Sequence, residues 1–577
     1  MTAPAFHPLW ALVLAEVSLI VGPLVVARVG PRGAAFLDGF VLASVAALVG
    51  LHLLPEAMAE LGVVALAITL LGFLTPALLH HLGRRTRSLE TAIWVAVGVG
   101  LFVHAALDGA ALSVVATSSP SDFSSVALAV ILHRLPVGLF GWWTLRASGG
   151  SRLAILVLVG VAVATVVGYG LGASFEDVGS GRVASTLIAF VAGSLLHVMV
   201  DHPPPHLSPS ARVPPWVESL GALAGLALVS LSEWEHHADR LAPFFEGLGA
   251  LAVRTSPVLV LGLLALVAIR RVVARDGGPA ALRALATALG RPSRSRGPRG
   301  AETYLRGTGV SGATALALAV VAAELGLDGL LYSVRLLGIE LTSARFGAVF
   351  AVAAVTAVVA SRARIAVPPS TAEPRPDDRW SFARELWSAV DAAAGWILVG
   401  WIVAVGIEVA RFDPSAIEVP APVVVAALAL MALPLRLDAL AATPIAAALW
   451  ASGLSAGAAL AFLLAGAIFS ASTFDLVAER VGRRRAAGLA VGLWAVIVAS
   501  GWTVDLLPRA PNPAGWPIRP SGVSVFAVAL LGAALAASVF RRGPRRLLES
   551  LFEVDVSPDH DHHRADAPDA PEATSER

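Results

Sequence analysis

The feature that most constrains this chain is a succession of apolar runs, each about as long as a lipid bilayer is thick. They lie near 8–28, 34–57, 61–82, 91–115, 124–146, 153–173, 183–203 and 216–232, then near 255–274, 309–337, 342–361, 388–410, 418–434, 440–474, 486–506 and 523–540. A helix crossing hydrocarbon needs roughly 20 mostly apolar residues. Composition agrees: 56% hydrophobic and 14% charged residues, with a mean hydropathy of +0.76, exclude a soluble multidomain protein. The expected fold is all-α, a polytopic integral membrane protein. The first stretch, "MTAPAFHPLWALVLAEV", lacks the basic start and small-residue cleavage site of a signal peptide and reads as the first span.

Arginine sets the orientation, because short cytoplasmic loops collect basic residues and every basic residue here is Arg. Arg28 and Arg32 follow the first span, "RRTR" at 84–87 the third, and Arg146 and Arg152 flank the link from fifth to sixth. The links "EAMAEL" and "TSSPSD" carry none. Both ends of an eight-span block, residues 1–240, are therefore expected outside. Residues 241–548 form a second membrane domain with basic clusters on its cytoplasmic side, such as "RVGRRR" at 480 and "RRGPRR" at 541. Stretches 276–302 and 362–385 read as cytoplasmic linkers, the clusters "HPPPH" at 202–206 and "SEWEHH" at 232–237 as loops, and 549–577 as a disordered cytoplasmic tail. The expected setting is a bacterial inner membrane.

The second domain contains an internal repeat, about 305–361 and 449–506. "LRGTGVSGATALAL" from Leu305 aligns without gaps with "LWASGLSAGAALAF" from Leu449, an offset of 144 residues at which Gly338 also meets Gly482. Paired, glycine-interrupted helices line the central site of many transporters. Small residues also serve simply to pack helices closely.

Ionisable groups inside the runs need a reason, since one at membrane depth costs on the order of 2.5–3.5 kcal/mol on insertion scales. "LFVHAALDGAAL" holds His104 and Asp108 four apart, hence on one helix face. The spacing recurs as His52 with Glu56 and as His197 with Asp201, and His133 lies in the fifth run. Imidazole and carboxylate suit zinc and similar divalent cations. With no Cys, thiolate ligands and disulfides are excluded. In the second domain Glu324, Asp328 and Asp475 are acids at apparent membrane depth, candidates for cation or proton coupling or, alternatively, groups at helix ends facing water. His560, Asp561, His562 and His563 in the tail form a candidate metal collector.

At these residues the first 235 or so positions resemble the ZIP family of divalent-metal transporters, through "LHLLPEAM", "HAALDGAAL", "HRLPVGL" and "AGSLLHVMVDH". The resemblance implies a binuclear metal centre between the fourth and fifth helices, which here would use His104, Asp108 and His133. Ala105 stands where the family motif has Asn, and Arg134 and Val137 where it has acids. What remains is a mononuclear site of His104, Asp108 and His133, assisted by His52 and Glu56, with Arg134 turned about 100° away from His133 along the helix. The other reading is a domain that no longer transports, with Arg134 paired to Asp108. Residues beyond about 240 resemble the arsenical-permease-like group, chiefly through "TPIAAALWASGLSAGAALAFLLAGAIFSAS" from Thr443. That resemblance implies export of a small solute through a site between repeats.

No phosphate loop, nucleophile elbow in a strand-to-helix setting, or nucleic-acid module is present. The expectation is no enzyme and no tightly bound cofactor. A secondary transporter of divalent cations, zinc foremost, or of another small solute is expected, with the bilayer and the solute as partners and a homodimer allowed. The alternative is a non-transporting, metal-sensing or partner-organising ZIP-derived domain attached to a permease.

Overall fold

The computed structural model describes residues 8–26, 29–62, 64–83, 101–102, 105–106, 108–110, 112–113, 123–172, 182–201, 213–273, 301–302, 305, 310–322, 324–363, 381–409, 419–507 and 520–552. Among them all regular structure is helical. The first half contains α1 (Pro8–Val26), α2 (Pro31–Leu48), α3 (Leu54–Leu61), α4 (Val64–Gly83), α5 (Phe123–Leu171), α6 (Arg182–Asp201) and the start of α7 (Pro215–Val273). The second contains the rest of α7, then α8 (Gly312–Val320), α9 (Leu327–Arg362), α10 (Phe382–Val409), α11 (Ala421–Ala432), α12 (Ala439–Ala451), α13 (Ala456–Ile468), α14 (Ala471–Val481), α15 (Arg483–Leu506), α16 (Gly522–Arg542) and α17 (Pro544–Phe552). Among the described residues seven helices are long and apolar enough to cross a membrane, or eight if the bent α13–α14 pair is one span.

In the first half, glycine decides which helices meet. A Cβ on Gly39 of α2 would fall 1.9 Å from the carbonyl oxygen of Glu218 in α7, and one on Gly221 of α7 would fall 1.8 Å from that of Phe36. Gly72 and Gly193 bring α4 and α6 together in the same reciprocal way, and Gly109 and Gly168 join the 105–113 segment to α5. In lipid, where no hydrophobic force separates helix from solvent, such backbone approach is what small residues contribute. Between α2 and α3 the helix widens into a π-turn, Val49–Leu53, just ahead of Pro55, whose missing N–H removes one rung of the helical ladder. The expected "EAMAEL" loop is helical up to Leu61, and the chain turns at Gly62.

In the second half, the two aligned stretches share their punctuation. Ser311 caps α8 by accepting the Thr314 N–H, and Ser455 caps α13 by accepting the Ala458 N–H, both at 3.1 Å. Gly338 has φ 78° and Gly482 φ 88°, a left-handed backbone that favours glycine. Before that glycine each stretch breaks, at 321–322 and 324–326 in the first and at Phe469 and Ser470 in the second. Runs 309–337 and 440–474, which read as single apolar segments, are thus interrupted.

The joint between the halves differs from expectation. Residues 232–237 are not a loop: α7 continues through them from Pro215 to Val273. Each half has its own apolar core, one built from Leu259 onward and the others from residues before 200. Helix α17 fastens the two. Arg545 forks onto Asp38 of α2, its Nε donating at 2.6 Å, while its backbone N–H donates to Glu218 of α7 at 2.7 Å. Leu548 packs against both cores. Residues 549–552, expected in the tail, therefore belong to a docked helix, and Glu302, expected in a linker, is buried and ion-paired with Arg480 at 2.8 Å.

Candidate functional site

In the second half, a fully buried acid lies just beyond the end of α8. Glu324 follows the end of α8 by four residues, and its side chain is fully buried. Its Oε2 accepts the Nε–H of Arg345, also fully buried, at 2.7 Å. Arg345 also donates through Nη1 to Ser333 and, at 3.4 Å, to Thr443 of α12. On a straight helix Ser333 and Arg345, twelve apart, would be separated by about 18 Å. They touch because Gly338 turns the chain and folds the first part of α9 back toward the second. The helix break supplies Glu324, the glycine turn returns Arg345, and the packing of α12 against α9 adds Thr443.

Two atoms of this cluster, Glu324 Oε1 and Arg345 Nη2, have no hydrogen-bond partner. Next to it Tyr332 accepts the indole N–H of Trp401 at 2.8 Å. The arrangement is an ion pair in a low-dielectric interior, beside a stretch where the backbone is not helical.

The other acids take different places. Asp328 lies in the first turn of α9, where its Oδ1 accepts the N–H of Gly329 at 3.0 Å. Asp475 is exposed on α14, whereas Glu324 is fully buried, so these two acids do not share one environment. In the second copy, position 468, which aligns with Glu324 at the 144-residue offset, is the apolar Ile468. The cluster is therefore one-sided.

In the first half, Arg134 does not turn away. It is buried at 1% exposure, and its Nη2 lies 3.0 Å from Asp108 Oδ2. The same nitrogen donates to Thr165 at 2.8 Å and to the carbonyl of Ala105 at 3.3 Å. One residue of helical rotation was outweighed by the length of the arginine side chain and by the cost of leaving it unpaired in the interior. Glu16 of α1 feels the charges of both Arg134 and Asp108, and so belongs to this cluster. His197 is half-buried, with its ring edge-to-face on Phe73 at 5.4 Å. All of His104, the side chains of His52, Glu56, His133 and Asp201, and the tail group His560, Asp561, His562 and His563 lie outside the described residues. Among the described residues no group of three or more His, Asp or Glu side chains could hold a metal ion.

Residues that sequence reasoning passed over include Arg345, Ser333, Thr443, Glu16 and the Glu302–Arg480 pair. For Arg345 a signal existed: an arginine within the 342–361 run must meet a partner.

Outward faces complete the picture. Trp10, Val13, Val17 and Ile20 of α1, Leu156, Val159 and Val163 of α5, and Val523, Val525 and Phe526 of α16 are exposed apolar side chains in continuous stripes, as helices facing lipid require. Together with the interior ion pairs they define a multi-pass α-helical membrane protein. No family model, curated protein or solved structure matches the chain.

Proposed function

We propose that the chain is a secondary transporter whose solute passes through the second half, in the manner of the arsenical-permease-like proteins its sequence resembles. The carrying observation is the fully buried Glu324–Arg345 pair at a helix break, with one carboxylate oxygen and one guanidinium nitrogen left unpartnered. Burying two charges has a desolvation cost of several kcal/mol per ion, and a packed apolar pair would serve stability as well or better. Function is the reason to keep them. In this reading the protein sits in a bacterial inner membrane with its N-terminus outside and its C-terminus cytoplasmic, makes no covalent change to the solute and holds no resident cofactor.

The Cys-free chain allows a direct test. Ser333→Cys introduces a lone thiol beside Arg345, and membrane-impermeant thiol reagents are applied to oriented vesicles from each side. Alternating access predicts labelling from either face; a thiol sealed from both overturns the reading.

A second reading concerns the first half. With Asp108 held by Arg134, we infer that this ZIP-like half does not conduct zinc. The π-turn that carries His52 is the observation that keeps a metal role open, since such turns recur at functional sites. In this reading the half binds zinc as a sensor. Calorimetry with zinc on the parent, His52→Ala and His104→Ala decides: unchanged binding in both variants removes the reading.

A further inference from the structure

We propose that the Glu324–Arg345 site binds small uncharged solutes that carry a hydrogen-bond donor and an acceptor on one edge, as formamide, acetamide and urea do. This rests on the reading of that pair as the translocation site.

The first argument is the half-closed fork. Arginine and a carboxylate ordinarily meet through two parallel N–H···O bonds. Here Nε and Oε2 are joined at 2.7 Å, while Nη2 and Oε1, the atoms that would close the second arm, bond neither to each other nor to anything else. An unmet donor and an unmet acceptor thus belong to one joined, fully buried pair. An amide edge answers both at once: its carbonyl accepts from Nη2, and its N–H donates to Oε1.

Charge is the second argument. The pair sums to zero, and its other partners, Ser333 and Thr443, are neutral hydroxyls. Among these four side chains a bound cation or anion would be left uncompensated at membrane depth, whereas an uncharged solute keeps them neutral.

Size is the third. Beside the open nitrogen the wall is made of the smallest residues. A Cβ on Gly329 would lie 3.9 Å from Arg345 Nη2 and 3.3 Å from the Cβ of Ala439. The Nη2 side is therefore closely walled, which limits a solute there to a few heavy atoms.

The test uses the full chain in vesicles of phosphatidylethanolamine and phosphatidylglycerol. Stopped-flow light scattering follows entry of formamide, acetamide or urea, and parallel assays follow zinc and chloride. The expected result is amide permeability above that of protein-free vesicles, reduced at least about tenfold by Glu324→Gln, which removes the carboxylate that answers the amide N–H. Gly329→Ala guards against a variant that merely misfolds. It leaves both charges in place and narrows the wall, so it lowers urea entry more than formamide entry and shifts their ratio. Amide flux indifferent to both substitutions overturns the proposal, because the solute then passes elsewhere. Zinc or chloride flux without amide flux, or a Ser333→Cys thiol reached from both faces in a protein that carries no amide, overturns the solute class and leaves the transport reading standing. No flux together with a thiol sealed from both faces overturns both.

Discussion

Each half of this protein buries an arginine against a carboxylate, and the two pairs are put to different use. In the first half, one nitrogen of Arg134 gathers Asp108, Thr165 and the Ala105 carbonyl. Asp108 and Ala105 belong to the described residues between 105 and 113, while Arg134 and Thr165 lie on either side of Gly150, where α5 turns with φ 80°; Gly109 and Gly168 hold the two elements at backbone distance. The pair ties helices together, and Asp108 keeps 13% exposure. In the second half, Glu324 and Arg345 are both at 0% and sit at a helix break, with half of their fork unused. The lesson is that an intramembrane ion pair cannot be interpreted from its residue types. Both pairs leave buried polar atoms unpartnered, Arg134 Nε and the Glu16 oxygens in one half and Glu324 Oε1 and Arg345 Nη2 in the other, and both join chain on either side of a glycine turn, Gly150 or Gly338. What separates them is the complete burial and the helix break at Glu324, on which the proposed function makes the second a site and the first a brace.

The comparison is broken most sharply by removing one charge from the second pair. Arg345→Leu should lower stability by about 3–5 kcal/mol, because it leaves Glu324 charged and buried, whereas Glu324→Leu with Arg345→Leu should recover most of that loss and still abolish transport. Thermal unfolding of the purified protein together with vesicle flux reads both; a harmless single substitution would mean the pair is not sequestered. Arg134→Leu in the first half should cost less, about 2–3 kcal/mol, since Asp108 retains access to water, and solute flux through the second half should persist. Loss of flux there would show that the brace is part of the transport path.

Smaller effects sharpen the contrast. Gly338→Ala and Gly482→Ala force an L side chain into a left-handed backbone and should each destabilise by about 1–2 kcal/mol. Gly492→Ala on α15, where a Cβ meets nothing within 4 Å, should be neutral or stabilising by up to about 1 kcal/mol. Equal losses at all three positions would deny the special role of the turns. Asp475→Asn should change stability by less than about 0.5 kcal/mol and leave flux untouched, as befits an exposed carboxylate. A lost proton dependence of flux in that variant would restore Asp475 as a coupling group.

What the sequence determined by itself is what depends on local chemistry. Apolar length dictated membrane helices, because each backbone polar group must be satisfied within its own segment. The repeat matched Gly338 with Gly482 and Ser311 with Ser455 at one offset, and the turns and caps these residues form are local, because a positive φ and an N-cap are properties of single residues. The sequence also showed Glu324 inside an apolar run, and both fates of Asp108. Only the tertiary structure decided between those fates. An arginine side chain reaches farther than one residue of helical rotation displaces it, so Arg134 found Asp108 despite its position beside His133. Arg345 and Glu324 lie 21 residues apart, and Ser333 twelve from Arg345, separations that no helical period connects. They meet because a break and a glycine turn fold the chain back on itself. Asp38 and Arg545 lie 507 positions apart, and only the docking of α17 brings them together. Partners at such distances are chosen by packing, where the cost of an unpaired buried charge selects among arrangements that the sequence leaves equally open.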